Sequence, residues 1–217
     1  MTISTGNDIV ALKAINIDRT RQPNFYSKII TDNEKSLYDE ALFAVLPLEH
    51  FVWLAWSVKE SVYKFLKRHQ HDLIFSPSKI IVAHVTPPAK RSQAQREGIG
   101  FDGESAYKVE ATFVGHKFHA RTILSPDYIF SVVDNHSGFS KVHWGIKKIG
   151  SSEPQDQSAA VRELVLHKFR DLFPEDNFKI EKSLTGLPVL FKNGTETAIP
   201  VSFAHHDHYV AYSFVWA

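Results

Sequence analysis

The sequence predicts an α+β fold of two similar halves, a pseudo-dimer in which each half packs one helix on a small, mainly antiparallel sheet. Three observations lead there. Residues 48–68 and 161–172 carry apolar side chains at helical spacing. Much of the remaining chain consists of short β-branched and aromatic runs broken by Gly, Pro, Asn and Asp. The order strand, helix, several strands also occurs twice, and the copies match weakly: SVKESVYK (57–64) lies over AVRELVLH (160–167), and SPDYIFSVV (125–133) over HDHYVAYSF (206–214).

Taken in order, DIVALKAINI (8–17) is rich in Ile and Val and reads as a strand or a strand running into a short turn. Thr31 and Glu34 have capping-box spacing, so a helix is expected from about Asp32 to Val45, closed by Pro47. In segment 48–68, Phe51, Leu54, Ala55, Val58, Val62 and Phe65 form one helical face, with Lys59, Glu60 and Lys64 on its flanks. Strands are expected at 79–85, 107–114, 116–123, 128–133 and 143–149, around a polar insert at 86–105 and a polar stretch at 134–142. The linker signal is GSSEPQDQS (150–158), followed by the second helix up to Pro174 and strands near 177–182, 187–192 and 199–215. The two halves divide as 1–140 and 141–217.

Composition narrows the chemistry. The 217 residues include no Cys, which excludes disulfides, a thiolate nucleophile and a Cys-based zinc site. Lys plus Arg number 25 against 24 Asp plus Glu, and this balance argues against a nucleic-acid partner. The amino-terminal stretch lacks signal-peptide character and no apolar run reaches membrane-spanning length, so the expectation is a cytoplasmic protein without a membrane partner.

Asp8 and Glu60, one at a strand start and one on a helix, are the oxygen donors that a hard divalent cation such as Mg²⁺ takes. Lys64, one helical turn from Glu60, can neutralise a phosphate leaving group. Read blandly, Glu60 and Lys64 are a solvated helix pair. His205, His206, Asp207 and His208 form a second cluster; strand alternation puts His205, Asp207 and Tyr209 on one face and His206 and His208 on the other. It is either a polar hairpin tip or the start of a metal phosphohydrolase site. Gly186-Leu187-Pro188 is a turn. Lys13, Arg19, Arg21 and Lys28 form a basic cluster, either a solvated surface or a dock for an acidic partner.

In chain order these pieces resemble the 4′-phosphopantetheinyl transferase superfamily. Gly6-Asn-Asp-Ile-Val10 resembles the family's G-x-D-I-x strand, and Trp56-Ser-Val-Lys-Glu-Ser-Val-Tyr-Lys64 matches W-S-x-K-E-[AS]-x-x-K at every fixed position. Arg19, Phe25, Lys28-Ile-Ile-Thr31 and Glu34 resemble the R…F…KILT..E region of the holo-acyl-carrier-protein synthase branch. Val201-Ser-Phe-Ala-His205 with Tyr209-Val-Ala resembles V-S-x-S-H…Y-x-A, and Gly186-Leu-Pro188 resembles G-K-P.

The resemblance implies Mg²⁺-dependent transfer of the 4′-phosphopantetheine arm of coenzyme A to a serine of an apo acyl or peptidyl carrier protein, as in fatty acid biosynthesis, with release of 3′,5′-ADP. Carried over by position, Asp8 and Glu60 would hold the metal and Glu60 would take the serine proton. Lys64 would assist the leaving phosphate, Lys59 would lie near the site, and Gly186, Pro188, Ser202 and His205 would contact the cofactor. Lys13, Arg19, Arg21 and Lys28 become candidates for docking the carrier protein. The chain departs from the family at Val10 and Ala11, where the branches carry a further acid, at Leu187 in place of Lys, and at Ala204 in place of Ser. These departures motivate an alternative, a catalytically degenerate homologue that binds coenzyme A or a carrier protein without turnover. In either case one site per chain is expected, at the junction of the halves of a monomeric pseudo-dimer.

Overall fold

The computed structural model describes residues 3–90, 96–101, 104–134 and 138–216, and of Glu40 and Ala41 the backbone alone. Parts of two predicted polar stretches, 91–95 and 102–103 in one and 135–137 in the other, lie outside the described residues.

Strand β1 (Thr5–Ala11) leads into four single-turn helices, α1 (Ile17–Thr20), α2 (Pro23–Tyr26), α3 (Asp32–Lys35) and α4 (Glu40–Phe43). Helix α5 (Leu48–Lys67) follows, then β2 (Ile81–Thr86), β3 (Glu97–Ile99), β4 (Tyr107–Phe113), β5 (His116–Leu124), β6 (Tyr128–Asp134) and β7 (Val142–Lys148). Helix α6 (Pro154–Leu172) precedes β8 (Phe178–Lys182), β9 (Pro188–Lys192), β10 (Thr195–Glu196), β11 (Val201–His206) and β12 (Tyr209–Val215). The strands form three antiparallel sheets, ordered β1-β6-β5-β4-β2, β11-β12-β7-β3 and β10-β9-β8.

The α+β class and the two long helices stand as the sequence predicts; the shorter elements need four corrections. The helix expected over 32–45 is two single turns, because Asp39 Oδ1 accepts the Leu42 N–H at 2.9 Å and restarts the chain at α4. The strand expected from residue 8 begins at Thr5; it stops at Ala11, where Leu12 N–H meets the Asp127 carbonyl and a short turn follows, the second of the two readings of that segment. Within the segment 150–158, α6 has already started at Pro154, a residue suited to the first helical turn. The strand region expected over 199–215 is split in two by a hairpin turning at Asp207, whose φ is +52°, so of the two readings of 205–208 the hairpin tip is the one observed. Strand β3, inside the polar insert of the first half, pairs with β7 of the second.

Helix α5 lies across the first sheet, with Phe51, Leu54, Val58 and Val62 fully buried, each contributing about 1.5–3 kcal/mol. A second core, containing Ile9, Ala11, Phe130, Trp144 and Ala211, fills the space between the first two sheets. A third lies under α6, around Val165, Phe169, Leu190 and Phe214. Because β1 is sandwiched between α5 and the second sheet, all seven of its residues are buried, and no alternation of apolar and polar side chains marks it.

Gly6 fixes how closely β1 and α5 approach. A Cβ there would sit 2.0 Å from the Ser61 carbonyl oxygen and 2.6 Å from the Phe65 nitrogen, both backbone atoms of the helix. Gly6→Ala therefore lowers stability by about 1–3 kcal/mol, read as a fall in denaturation midpoint. No helix among the described residues is long and apolar enough to cross a membrane.

Candidate functional site

The contact at Gly6 brings Asp8, two residues along β1 on the same face, over the carboxy-terminal half of α5. Lys64 Nζ donates to Asp8 Oδ1 at 3.1 Å and lies 3.2 Å from Glu60 Oε1, so one ammonium joins the two carboxylates. Asp8 is 4% exposed, and burial raises its pKa to about 7, with Lys64 pulling it down and Glu60 pushing it up. Burial alone would lower the Lys64 pKa, but the carboxylates of Asp8 and Glu60 outweigh it and hold the pKa above its ordinary value. The other Asp8 oxygen, Oδ2, is buried with no hydrogen-bond partner.

This donor set fits a hard divalent cation that keeps most of its positions for water or phosphate oxygens: two carboxylates face one place, and one buried oxygen has no protein partner. No cluster of three or more His, Asp or Glu residues suited to a metal occurs among the described residues. The place of a further acid beside Asp8 is taken by Val10 and Ala11, both packed in apolar cores.

Helix α6, the β8–β9 turn and β11 supply the facing wall. Beside the carboxylates opens a cleft of about 260 Å³ whose lining includes Lys64 and Arg68 of α5, Arg162 of α6, Lys182 of β8, Ser202 and His205 of β11, and the Gly186-Leu187-Pro188 turn. Gly186 has φ +81° and makes the reversal between β8 and β9. Burial lowers the His205 pKa, as does nearby Lys64, while Glu60 opposes them. Four cationic side chains around one small cleft favour an anionic ligand.

The structure thus brings together Asp8, Glu60 and Lys64, and sets Lys64 with Gly186, Pro188, Ser202 and His205 around one cleft. Lys59 is a correction. It is fully buried on the other side of α5, donating to the Ile29 carbonyl at 2.6 Å and paired with both Glu34 oxygens at 2.7 and 2.8 Å, so it has no access to a cofactor. The helix is enclosed nearly all round, and its flank at Lys59 faces the α3 cap rather than the cleft. Of the basic cluster, all four residues are exposed, but Lys13 pairs with Asp127 at 2.8 Å and Arg21 grips Glu49 with two hydrogen bonds of 2.9 and 3.0 Å. Arg19 lies over the Phe25 ring. The histidine cluster does not converge. His205 faces the cleft, whereas His206 Nδ1 accepts the Ala11 N–H at 2.8 Å, and the alternation expected through His208 is broken by the turn.

Arg68, Arg162 and Lys182 were not singled out from the sequence. Arg68 follows Glu60 and Lys64 at four-residue steps and so carried a readable signal. Arg162 and Lys182 come from other elements, and only the packing of α6 and β8 places them at the cleft.

Paired carboxylates and clustered cations thus meet at one cleft between α5, α6 and β11. The chain belongs to the 4′-phosphopantetheinyl transferase superfamily, whose family model matches residues 4–133. Among curated proteins, none matches the chain. Membership places it with the transferases of phosphopantetheine in general.

Proposed function

We propose that the protein transfers the 4′-phosphopantetheine arm of coenzyme A to a serine hydroxyl of an apo acyl or peptidyl carrier protein, with Mg²⁺, releasing 3′,5′-ADP. The observation that carries this reading is the junction itself: Asp8 and Glu60 are joined by Lys64, which itself lines a cleft walled by Arg68, Arg162, Lys182, Ser202 and His205.

Asp8 and Glu60 are the residues that would hold Mg²⁺, which when bound supplies charge neutralisation at the pyrophosphate. Glu60, partly exposed and paired with the cleft residue Lys64, takes the serine proton. Lys64 meets the negative charge that builds on the leaving phosphate, and the cleft cations with Ser202 and His205 hold the nucleotide end. Arg68, Arg162 and Lys182 supply positive charge that Leu187 does not. Arg162→Ala is therefore expected to weaken coenzyme A about tenfold or more, measured by calorimetry. Among the basic cluster, Arg19 and Lys28 are the candidates with charge most available to an acidic carrier protein, since Lys13 and Arg21 already have carboxylate partners.

The two halves read as related copies. Strand β1 pairs with β6 and β6 with β5, and in the same manner β7 pairs with β12 and β12 with β11, with α5 and α6 following the first strand of each set. On this reading residues 1–140 bring the carboxylates and 141–217 the nucleotide wall, in a monomer of the cytoplasm.

Production of 3′,5′-ADP from coenzyme A, Mg²⁺ and an apo carrier protein tests the reading. The second reading, a binding protein without turnover, is favoured by Val10, Ala11 and Leu187. Coenzyme A binding with no nucleotide released selects it.

A further inference from the structure

The seam beside the site is an unusual one. Strand β1 is the edge of the first sheet and β11 the edge of the second, so both carry backbone groups that no ladder satisfies. They lie side by side without pairing as strands. Side chains of β11 serve instead of carbonyls: Ser202 Oγ accepts the Asn7 N–H at 3.1 Å, and His206 Nδ1 accepts the Ala11 N–H at 2.8 Å. The two contacts are four positions apart on each strand, with the later residue of one meeting the later residue of the other, so the strands run in the same direction. Ala204, between Ser202 and His206, is buried in the core shared by the two sheets. The contacts flank Asp8, one on the residue before it and one three residues after.

We infer that His206 is a positioning residue for the cofactor cleft: by accepting the Ala11 N–H, it fastens β11 to β1 and so fixes Ser202 and His205 opposite Lys64. An imidazole that accepts at Nδ1 carries its proton at Nε2. Burial holds the His206 pKa below its ordinary value and keeps that lone pair available, against the opposing pull of Asp207 and Glu60. Trp53 from α5 and Arg19, Asn16 and Ile15 from the segment around α1 share a small pocket with the ring. The neighbouring His205 makes the contact with the cleft, and His206 acts through it. An acceptor at this position is what matters, so His206→Asn, whose amide oxygen stands near the place of Nδ1, retains the function and His206→Leu does not.

Three readouts on the intact chain test this, and the structural ones do not depend on the transferase reading. In wild type, the ¹⁵N shifts of the His206 ring show an unprotonated Nδ1 and a protonated Nε2. His206→Leu speeds hydrogen exchange at the Ala11 amide and raises the coenzyme A dissociation constant, each about five- to tenfold, and His206→Asn restores both. A protonated Nδ1 in wild type, or unchanged exchange and unchanged affinity in the leucine variant, overturns the inference. Should the leucine variant fail to fold, the ring shifts and the asparagine variant decide. Failure of wild type to bind coenzyme A overturns the proposed function, while the ring shifts and Ala11 exchange still decide the fastening.

Discussion

Glu60→Gln is expected to lower phosphopantetheine transfer about 10²–10⁴-fold, the range over which a positioned proton acceptor accelerates a reaction. The substitution keeps the shape and polarity of the side chain but removes its basicity and its charge. Glu60 is partly exposed and its partner Lys64 retains Asp8 at 3.1 Å, so the thermal midpoint should move by no more than a few degrees. Asp8→Asn provides the complementary case. Asp8 is a buried carboxylate whose charge the fold disfavours, as its raised pKa of about 7 states, and the amide leaves the unliganded chain about as stable as before. Transfer should nevertheless collapse, because the amide is a poorer metal ligand than the carboxylate. Measuring transfer and melting in parallel on both variants checks the point: activity lost with the fold intact is the expected pattern, and a matched loss of both contradicts it.

Lys59→Ala is expected to act in the opposite way, costing about 3–5 kcal/mol of stability because it leaves a buried carboxylate without its cation. Glu34 is the centre of that network. Its Oε2 accepts from Thr31 N–H and from the Thr31 hydroxyl, its Oε1 accepts from Val82 N–H, and both oxygens meet Lys59. The capping box of α3, the start of β2 and the middle of α5 are thus tied at one carboxylate. Removing both partners with Lys59→Met and Glu34→Leu does not repair the loss, since Val82 then keeps a buried donor without an acceptor and the partly buried Thr31 loses its cap. Chemical denaturation of the single and double variants measures this. If Lys59→Ala unfolded at the wild-type midpoint but failed to bind coenzyme A, the expected role beside the cofactor would have been the right one.

Lys59 also shows what the sequence conceals. The face of α5 with Phe51, Leu54, Val58 and Val62 is legible because apolar residues recur at helical spacing. The same pattern puts Lys59 on a polar flank, yet the flank is covered by the α3 cap, and a charge on it becomes an internal tie. The motif W-S-x-K-E therefore carries two different duties in adjacent residues, since Glu60 turns toward the cleft as Lys59 turns into the core.

Asp8, Glu60 and Lys64 were legible as a set because each lies in a short motif with local spacing. The facing wall was legible only in part. Ser202, His205 and the Gly186 turn belong to motifs, whereas Arg162 and Lys182 depend on where α6 and β8 are carried by the third core. The seam between β1 and β11 had no signal at all. Its hydrogen bonds run from backbone N–H groups to Ser202 and His206, residues 195 positions away in the chain, and no periodicity records such a pairing. The hairpin at Asp207 was legible only as one of two readings of the histidine cluster: the alternation of VSFAHHDHYVAYSF continues through the turn, and only the left-handed φ of Asp207 breaks it.

The most direct measurement of the central claim is the intact mass of an apo carrier protein after incubation with this chain, coenzyme A and Mg²⁺. A gain of one phosphopantetheine group on the carrier serine, absent with Glu60→Gln, is the predicted result. An unchanged mass for acyl and peptidyl carriers alike, together with no binding of coenzyme A, would contradict the account.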